Sequence, residues 1–257
     1  MPLWGRAVES QKKMPGLVDR MAVEIINKID YDFTLFERKM NWVSQFSWVA
    51  RSMHVDKTIL EFIKKNPKAT IVNMGCGLDT TFERIDNGQM MFYDLDLPEV
   101  IHLRKIFFQE NERRKTISSS FLENKWLSQL QGNEDILFIA AGLFYFFDKN
   151  LVRDFFITIA NYFPGSELFF DIASPLGIKL ANKKVLKNSG MNETSLLKWG
   201  IKNPKLFEKW DERIQLVKEF PIFEGLKTGL PFKEKCGVWI SDLLKIMSMV
   251  HLRIKEG

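Results

Sequence analysis

The stretch Ile71-Val72-Asn73-Met74-Gly75-Cys76-Gly77-Leu78-Asp79-Thr80-Thr81 constrains this chain more than any other. A short apolar run breaks into two glycines one residue apart. A second run, Met90-Met91-Phe92-Tyr93, then ends in Asp94-Leu95-Asp96. Glycines at a strand end let a ligand approach the backbone where any Cβ would collide. An acid ending the next strand accepts hydrogen bonds from a ribose diol. The pairing predicts an adenosine-containing ligand.

The rest of the turn narrows that ligand. A dinucleotide turn needs a third glycine three residues after the second, and Thr80 stands there instead. Asp79 would also set a carboxylate where pyrophosphate charge should sit. Both features count against NAD or FAD. S-adenosylmethionine, which carries no phosphate, fits better.

Composition excludes several other classes. The chain has 257 residues, 46% hydrophobic and 27% charged, too apolar for disorder. A net charge of +5 raises a nucleic-acid reading, but the lysines and arginines are scattered among acids. Only Glu112-Arg113-Arg114-Lys115 is locally dense, as at a solvated helix end. Cys76 and Cys236 suggest neither a disulfide framework nor a metal site. The start, Met1-Pro2-Leu3-Trp4-Gly5-Arg6, lacks a secretory pattern. The longest apolar run, residues 136–147, is too short to span a bilayer. The expectation is a cytoplasmic protein with a small-molecule partner, no nucleic acid, no membrane, and no readable oligomeric state.

Periodicity supplies the architecture. Residues 17–66 predict helices and end at Asn66-Pro67, since a residue before proline leaves helical geometry. Strands are expected over 69–74, 90–94, 115–119, 135–140 and 167–172, with helices near 81–85, 98–112, 126–131 and 149–162. This alternation predicts an α/β, Rossmann-like sheet with helices on both faces. Residues 176–212 lack strand character and predict a helical insertion after the fifth strand. A strand over 214–220, a helix over 240–250 and a short strand over 251–255 then bring the sheet to seven strands. The expected organisation is an N-terminal helical cap (1–67), a cofactor-binding core (68–175), an insertion acting as a substrate lid (176–212) and a sheet-completing end (213–257).

The string from Val72 to Phe82, followed by Tyr93-Asp94-Leu95-Asp96-Leu97-Pro98-Glu99-Val100, closely resembles the leucine carboxyl methyltransferase superfamily. The bacterial branch that includes the tetracenomycin-type polyketide O-methyltransferases is the closer likeness. Supporting segments are Ala50-Arg51-Ser52, Ser120-Phe121-Leu122-Glu123 with Trp126-Leu127, and Phe138-Ile139-Ala140-Ala141-Gly142-Leu143. Lys198-Trp199-Gly200 and Trp210-Asp211 extend the likeness toward the C-terminus.

The resemblance implies S-adenosylmethionine as methyl donor, S-adenosylhomocysteine as product, and the following site. Arg51 would hold the cofactor's carboxylate, as a planar guanidinium suits. Gly75 and Gly77 would meet the methionine part and the ribose. Asp94 and Asp96 both compete for the ribose hydroxyls; strand position favours Asp94, the family motif Asp96. Capping of the helix at Pro98 is a further role for Asp96. Ser120 and Phe121 match the pair flanking adenine, with Phe121 able to cover a ring face and Glu123 to reach the adenine amino group. The family usually carries a glutamate where Ala141 stands, near the cofactor's ammonium.

The implied activity is O-methyl transfer to a small molecule, with a carboxylate as the simplest acceptor. Such an acceptor needs no base, and no metal site or acid–base dyad is evident. An alcohol or phenol would need one, for which His54 and Tyr145 are the candidates, while His102 is a structural residue. Trp42, Phe46, Trp48 and Trp199, with Tyr145 and Phe146, are candidates for an apolar acceptor pocket between the N-terminal helices and the insertion. The alternatives are a protein of this fold that binds the cofactor with little turnover, suggested by Ala141, and an RNA methyltransferase, suggested by charge alone.

Overall fold

The computed structural model describes residues 1–34, 38, 40–130, 132, 135–186, 196–228 and 230–256. Strands β1 (Thr70–Met74), β2 (Met91–Asp96), β3 (Arg114–Ser118), β4 (Ile136–Ala140), β5 (Glu167–Ala173), β6 (Ile214–Pro221) and β7 (Met247–Ile254) form one sheet. Its order is β3-β2-β1-β4-β5-β7-β6. Strands β1 to β5 pair in parallel, and β7 runs antiparallel between β5 and β6. The order reverses between β1 and β4, so a crevice opens beyond their carboxyl ends, where ligands bind in such sheets.

The helices are α1 (Pro2–Ser10), α2 (Arg20–Lys28), α3 (Trp42–Lys65), α4 (Thr81–Ile85), α5 (Pro98–Arg104), α6 (Lys149–Tyr162), α7 (Pro175–Leu180) and α8 (Phe232–Leu243). Alternate residues of each strand feed opposite cores. Val72, Phe138 and Phe170 pack under α6, while Ile71, Leu137, Ile139 and Phe169 pack under α3. Burial on both faces explains why the strands are continuous apolar runs. The chain is therefore an α/β fold with a seven-stranded sheet covered on both faces.

Several boundaries differ from expectation, each for a local reason. The helix expected over 98–112 stops at Arg104, where the chain turns back through Phe107 and Phe108 N–H bonds to the Arg104 carbonyl. The segment 126–131 is only a short 3-10 turn, Leu127–Leu130. The helix expected over 240–250 is displaced to α8, because Lys245 adopts φ +46° and breaks it. Residues from Met247 onward then pair with β5 and β6. Buried between two strands, β7 carries apolar residues on both faces and imitates a helix in sequence.

The expected insertion begins as α7 and one wider turn, Ala181–Leu186; its stretch 187–195 lies outside the described residues. Its later part joins the core rather than forming a layer above it. Trp199 donates from its indole to the Phe144 carbonyl at 3.0 Å, and Phe207 and Trp210 pack on Phe156.

Candidate active site

β1 ends in a turn held from the neighbouring strand. The N–H groups of Gly75 and Cys76 donate to the Leu95 carbonyl at 2.8 and 3.3 Å. Gly77 N–H donates to Asp96 Oδ2 at 2.8 Å. Gly75 and Gly77 adopt φ of +65° and +48°, the left-handed region that a Cβ penalises. A Cβ at Gly75 would also lie 2.7 Å from Leu143 Cδ1. The turn thus offers bare backbone at the crevice, as a closely seated ligand requires.

The acids at the end of β2 have separate tasks. Asp94 is fully buried. Its Oδ2 accepts from Arg104 Nη2 at 2.8 Å and Arg114 Nε at 3.0 Å, and its Oδ1 from Asn73 Nδ2 at 3.3 Å. Two buried arginines share the Asp94 charge, which leaves Asp96 the more open of the two acids proposed for a ribose. Arg104 also donates to the Gly77 carbonyl at 2.8 Å, tying this ion cluster to the turn. Asp96 is half-buried, with its second oxygen accepting from Leu97 N–H at 2.8 Å. Leu97, not Asp96, is the cap residue of α5.

Arg51 comes from the middle of α3, which Asn41 starts by accepting from Val43 N–H at 2.7 Å. The guanidinium is buried and donates through Nη1 to Asp171 Oδ2 at 2.9 Å and Tyr145 Oη at 3.0 Å. It passes so close to Gly142 that a Cβ there would sit 2.7 Å from Nη1. Asp171 Oδ1 in turn accepts from Gly142 N–H at 2.6 Å. Asp171 was not singled out from sequence. The signal was there: a carboxylate inside the apolar run Leu168-Phe169-Phe170-Asp171-Ile172 must have a charged partner.

A second ion cluster braces the outer side of the turn. Arg6 of α1 reaches Asp19 at 2.8 Å and Asp79 at 3.4 Å. Arg84 of α4 pairs with Asp56 at 2.7 Å and Asp19 at 2.9 Å. Burial alone would raise the Asp79 carboxyl, but Arg6 and Arg84, with the Thr81 N–H, hold it well below the usual carboxylate range. Burial, then the neighbouring Asp171 charge, pushes the Tyr145 phenol well up. Burial likewise raises the Cys76 thiol.

Part of this framework, from Arg6, Arg51, Asn73, Cys76, Asp79 and Tyr145, borders one cavity of about 1050 Å³. It is at the upper limit of single small-molecule sites, roughly 300–1,000 Å³, and so has room for a cofactor and an acceptor. Its floor is Asn73, the turn from Gly75 to Asp79, Ala141 and Gly142, with Arg51 and Tyr145 at one side. Its other walls are mostly apolar and come from distant segments: Trp4, Ile26, Ile29, Val43 and Trp48 from the N-terminal part, Leu180 and Leu197 from residues 176–212, and Ile240 and Leu244 at α8, with Asn41 and a few serines among them. The contribution of α8 was not foreseen.

The remaining candidates fall as follows. Gly75, Gly77, Arg51, Ala141, Tyr145, Phe146 and Trp48 border the cavity; Asp96, Ser120, Phe121 and Glu123 do not. The buried Phe121 ring packs into the core, meeting Phe144, Phe147 and Phe155 edge-on. Ser120 Oγ accepts from Leu122 N–H at 3.3 Å, and exposed Glu123 accepts from Ser119 Oγ at 3.2 Å. His54 is corrected from a candidate base: its Nε2 donates to the Ile222 carbonyl at 2.9 Å and its ring packs against Phe220. Burial lowers its pKa. Trp42 stacks on Phe46, and Phe46 on Phe223, within the core.

The bare turn, the anchored acid at the β2 end and the buried arginine suit a zwitterionic nucleoside without phosphates. The comparisons with known proteins agree with that fit. The family model described as leucine carboxyl methyltransferase matches residues 1–160. A curated relative, the tetracenomycin polyketide synthesis O-methyltransferase TcmP of Streptomyces glaucescens, is 26% identical over 208 residues, spanning 80% of this chain and 75% of that protein. A DUF574 family protein of Streptomyces avermitilis has a TM-score of 0.60 at 10% identity, with 98% of this chain and 97% of that one covered. A SAM-dependent methyltransferase of Anabaena variabilis has a TM-score of 0.52 at 9% identity, with 78% and 85% covered.

Proposed function

The chain belongs to the leucine carboxyl methyltransferase family, and from that premise we propose that it methylates an oxygen of a polyketide-like small molecule, most simply a carboxylate. It is an S-adenosylmethionine-dependent methyltransferase, and the donor supplies an electrophilic methyl group for in-line displacement. The protein's part is to align donor and acceptor and to exclude water, which can account for several orders of magnitude in rate.

In this reading Arg51 holds the carboxylate of the donor's amino-acid part, with Asp171 and Tyr145 fixing its guanidinium. Gly75 and Gly77 admit the methionine chain and ribose, and Asp96 accepts from the ribose hydroxyls. The adenine then extends out of the cavity past β2, toward Ser120 and Glu123 beyond the end of β3. The apolar walls from α1, α2, α3 and α8 receive the acceptor. The likeness to TcmP supports a polyketide-like acceptor.

One observation carries the carboxylate assignment: among the described residues no side chain bordering the cavity is suited to act as a base, and the one further titratable group there is the Met1 amine, which burial lowers to about 6. Asp79 is too weak a proton acceptor, because the arginines depress its carboxyl, while Tyr145 and Cys76 are held protonated. A carboxylate is already ionised at neutral pH and asks for no proton transfer. The test is a panel of aromatic carboxylic acids and matched phenols, incubated with donor and scanned by mass for a methyl gain. Methylation of acids over phenols supports the assignment; methylation of phenols alone overturns it.

Ala141 favours a second reading, a cofactor-binding protein with little turnover. It lines the floor where the family usually has a glutamate, and an alanine cannot neutralise an ammonium. Tight S-adenosylhomocysteine binding with no product from any acceptor would favour this second reading.

A further inference from the structure

We propose that the outer face of α8 docks on an anionic lipid surface, with the mouth of the cavity turned toward it. A helix packed on a domain ordinarily buries its apolar side and presents its charges outward. In α8 this is reversed at the surface. Phe232, Trp239, Ile240, Leu243 and Leu244 are 50–84% exposed, and Cys236 beside them is exposed too. The inward side carries Val238 and Asp242, the latter paired with Lys227 at 2.7 Å.

Charge decides what covers this face. Lys233 and Lys235 are exposed in the first turn of α8 and make no ion pair among the described residues. That end of a helix disfavours cations, so helix stability does not explain them. Lys245 is exposed just beyond the other end, 3.5 Å from Glu219. Of the two acids of α8, Asp242 is buried and paired with Lys227, and Glu234 is half-buried. A second copy of the chain is therefore a poor occupant, because pairing α8 with itself in either direction sets lysine against lysine. An anionic bilayer is complementary: the rings and leucines enter the headgroup boundary while the lysines meet lipid phosphates and carboxylates.

The placement relative to the cavity fits this. Ile240 and Leu244 belong both to the exposed face and to the cavity wall. An apolar acceptor dissolved in the bilayer would enter without crossing water. That last step rests on the cavity being the acceptor site; the docking itself does not. The membrane partner departs from the expectation drawn from sequence, where no apolar stretch is long enough to span a bilayer.

The experiment is sedimentation of the full chain with vesicles of phosphatidylcholine alone and with about 30% phosphatidylserine added. Two variants accompany it, the triple Phe232→Ser, Trp239→Ser, Leu243→Ser and the double Lys233→Glu, Lys235→Glu. None of these five positions borders the cavity, so titration with S-adenosylhomocysteine checks that each variant is folded. We expect the parent to pellet with anionic vesicles about tenfold more than with neutral ones, and each variant to lose about tenfold while keeping nucleoside affinity. Pelleting that is absent, or unchanged in both variants, overturns the proposal. So does a parent dimer in light scattering that the triple variant abolishes. If no form binds S-adenosylhomocysteine, the methyltransferase reading fails while the vesicle result stands on its own.

Discussion

On the strand side of the cavity, polar groups from the turn after β1, from β2, β3 and β5 and from α3 and α5 are locked to one another: Gly77 to Asp96, Asp94 to Arg104 and Arg114, Arg51 to Asp171. On the helical side, apolar side chains from α1, α2, α3 and α8 meet with few polar anchors. A donor common to a whole family calls for a fixed, charge-matched cradle, whose geometry costs least when organised beforehand. An acceptor that differs between relatives calls for shape, which apolar walls can vary without breaking ion clusters. The cradle is local and chemical; the chamber is distant and steric.

The sharpest way to break this contrast is to remove a charge beneath the cradle. Asp94→Ala leaves Arg104 and Arg114 buried without their shared anion, and should cost about 3–5 kcal/mol of stability by urea denaturation. A stable variant with lost nucleoside affinity would return Asp94 to the ribose site. Arg51→Ala should weaken S-adenosylhomocysteine binding by about 2–4 kcal/mol in calorimetry, with a melting curve run alongside because Asp171 loses its partner. An unchanged dissociation constant removes Arg51 from the cradle.

Smaller effects sharpen the comparison. Gly75→Ala imposes about 1–2 kcal/mol of backbone strain and sets a methyl against Leu143, so nucleoside affinity should fall about tenfold while acceptor KM stays level. Equal changes in both would mean that the two halves of the cavity are not separable. The smallest effect is one of pH. Asp79, with its carboxyl depressed, stays ionised until strong acid, and Tyr145, with its phenol raised, stays protonated until strong base. With a carboxylate acceptor kcat should therefore vary less than about threefold between about pH 6 and about pH 9. A bell-shaped profile in that window would reveal a base that the cavity's side chains do not provide.

The same contrast governs what could be read from sequence. The glycine turn and parallel strands were legible because their signals are contiguous: an apolar run, two glycines, a second run ending in acids. The choice between Asp94 and Asp96 was not, because it depends on Arg104 and Arg114, residues that look like ordinary surface charges in sequence. Phe121 and His54 matched a motif or a need by type, yet packing gave them to the core. The role of α8 was hidden by two further causes. Methionines and a buried β7 blurred the boundary between helix and strand, and nothing in a linear reading brings residue 240 beside residue 4 in one wall.

The account rests on the crevice at the end of β1 being the seat of the methyl donor. A crystal grown with S-adenosylhomocysteine tests it most directly. We expect the amino-acid carboxylate against Arg51, the ribose against Asp96, and the space between Trp48 and Ile240 left open for the acceptor. Density for the nucleoside elsewhere, or a bound molecule that touches neither Arg51 nor Asp96, would contradict it.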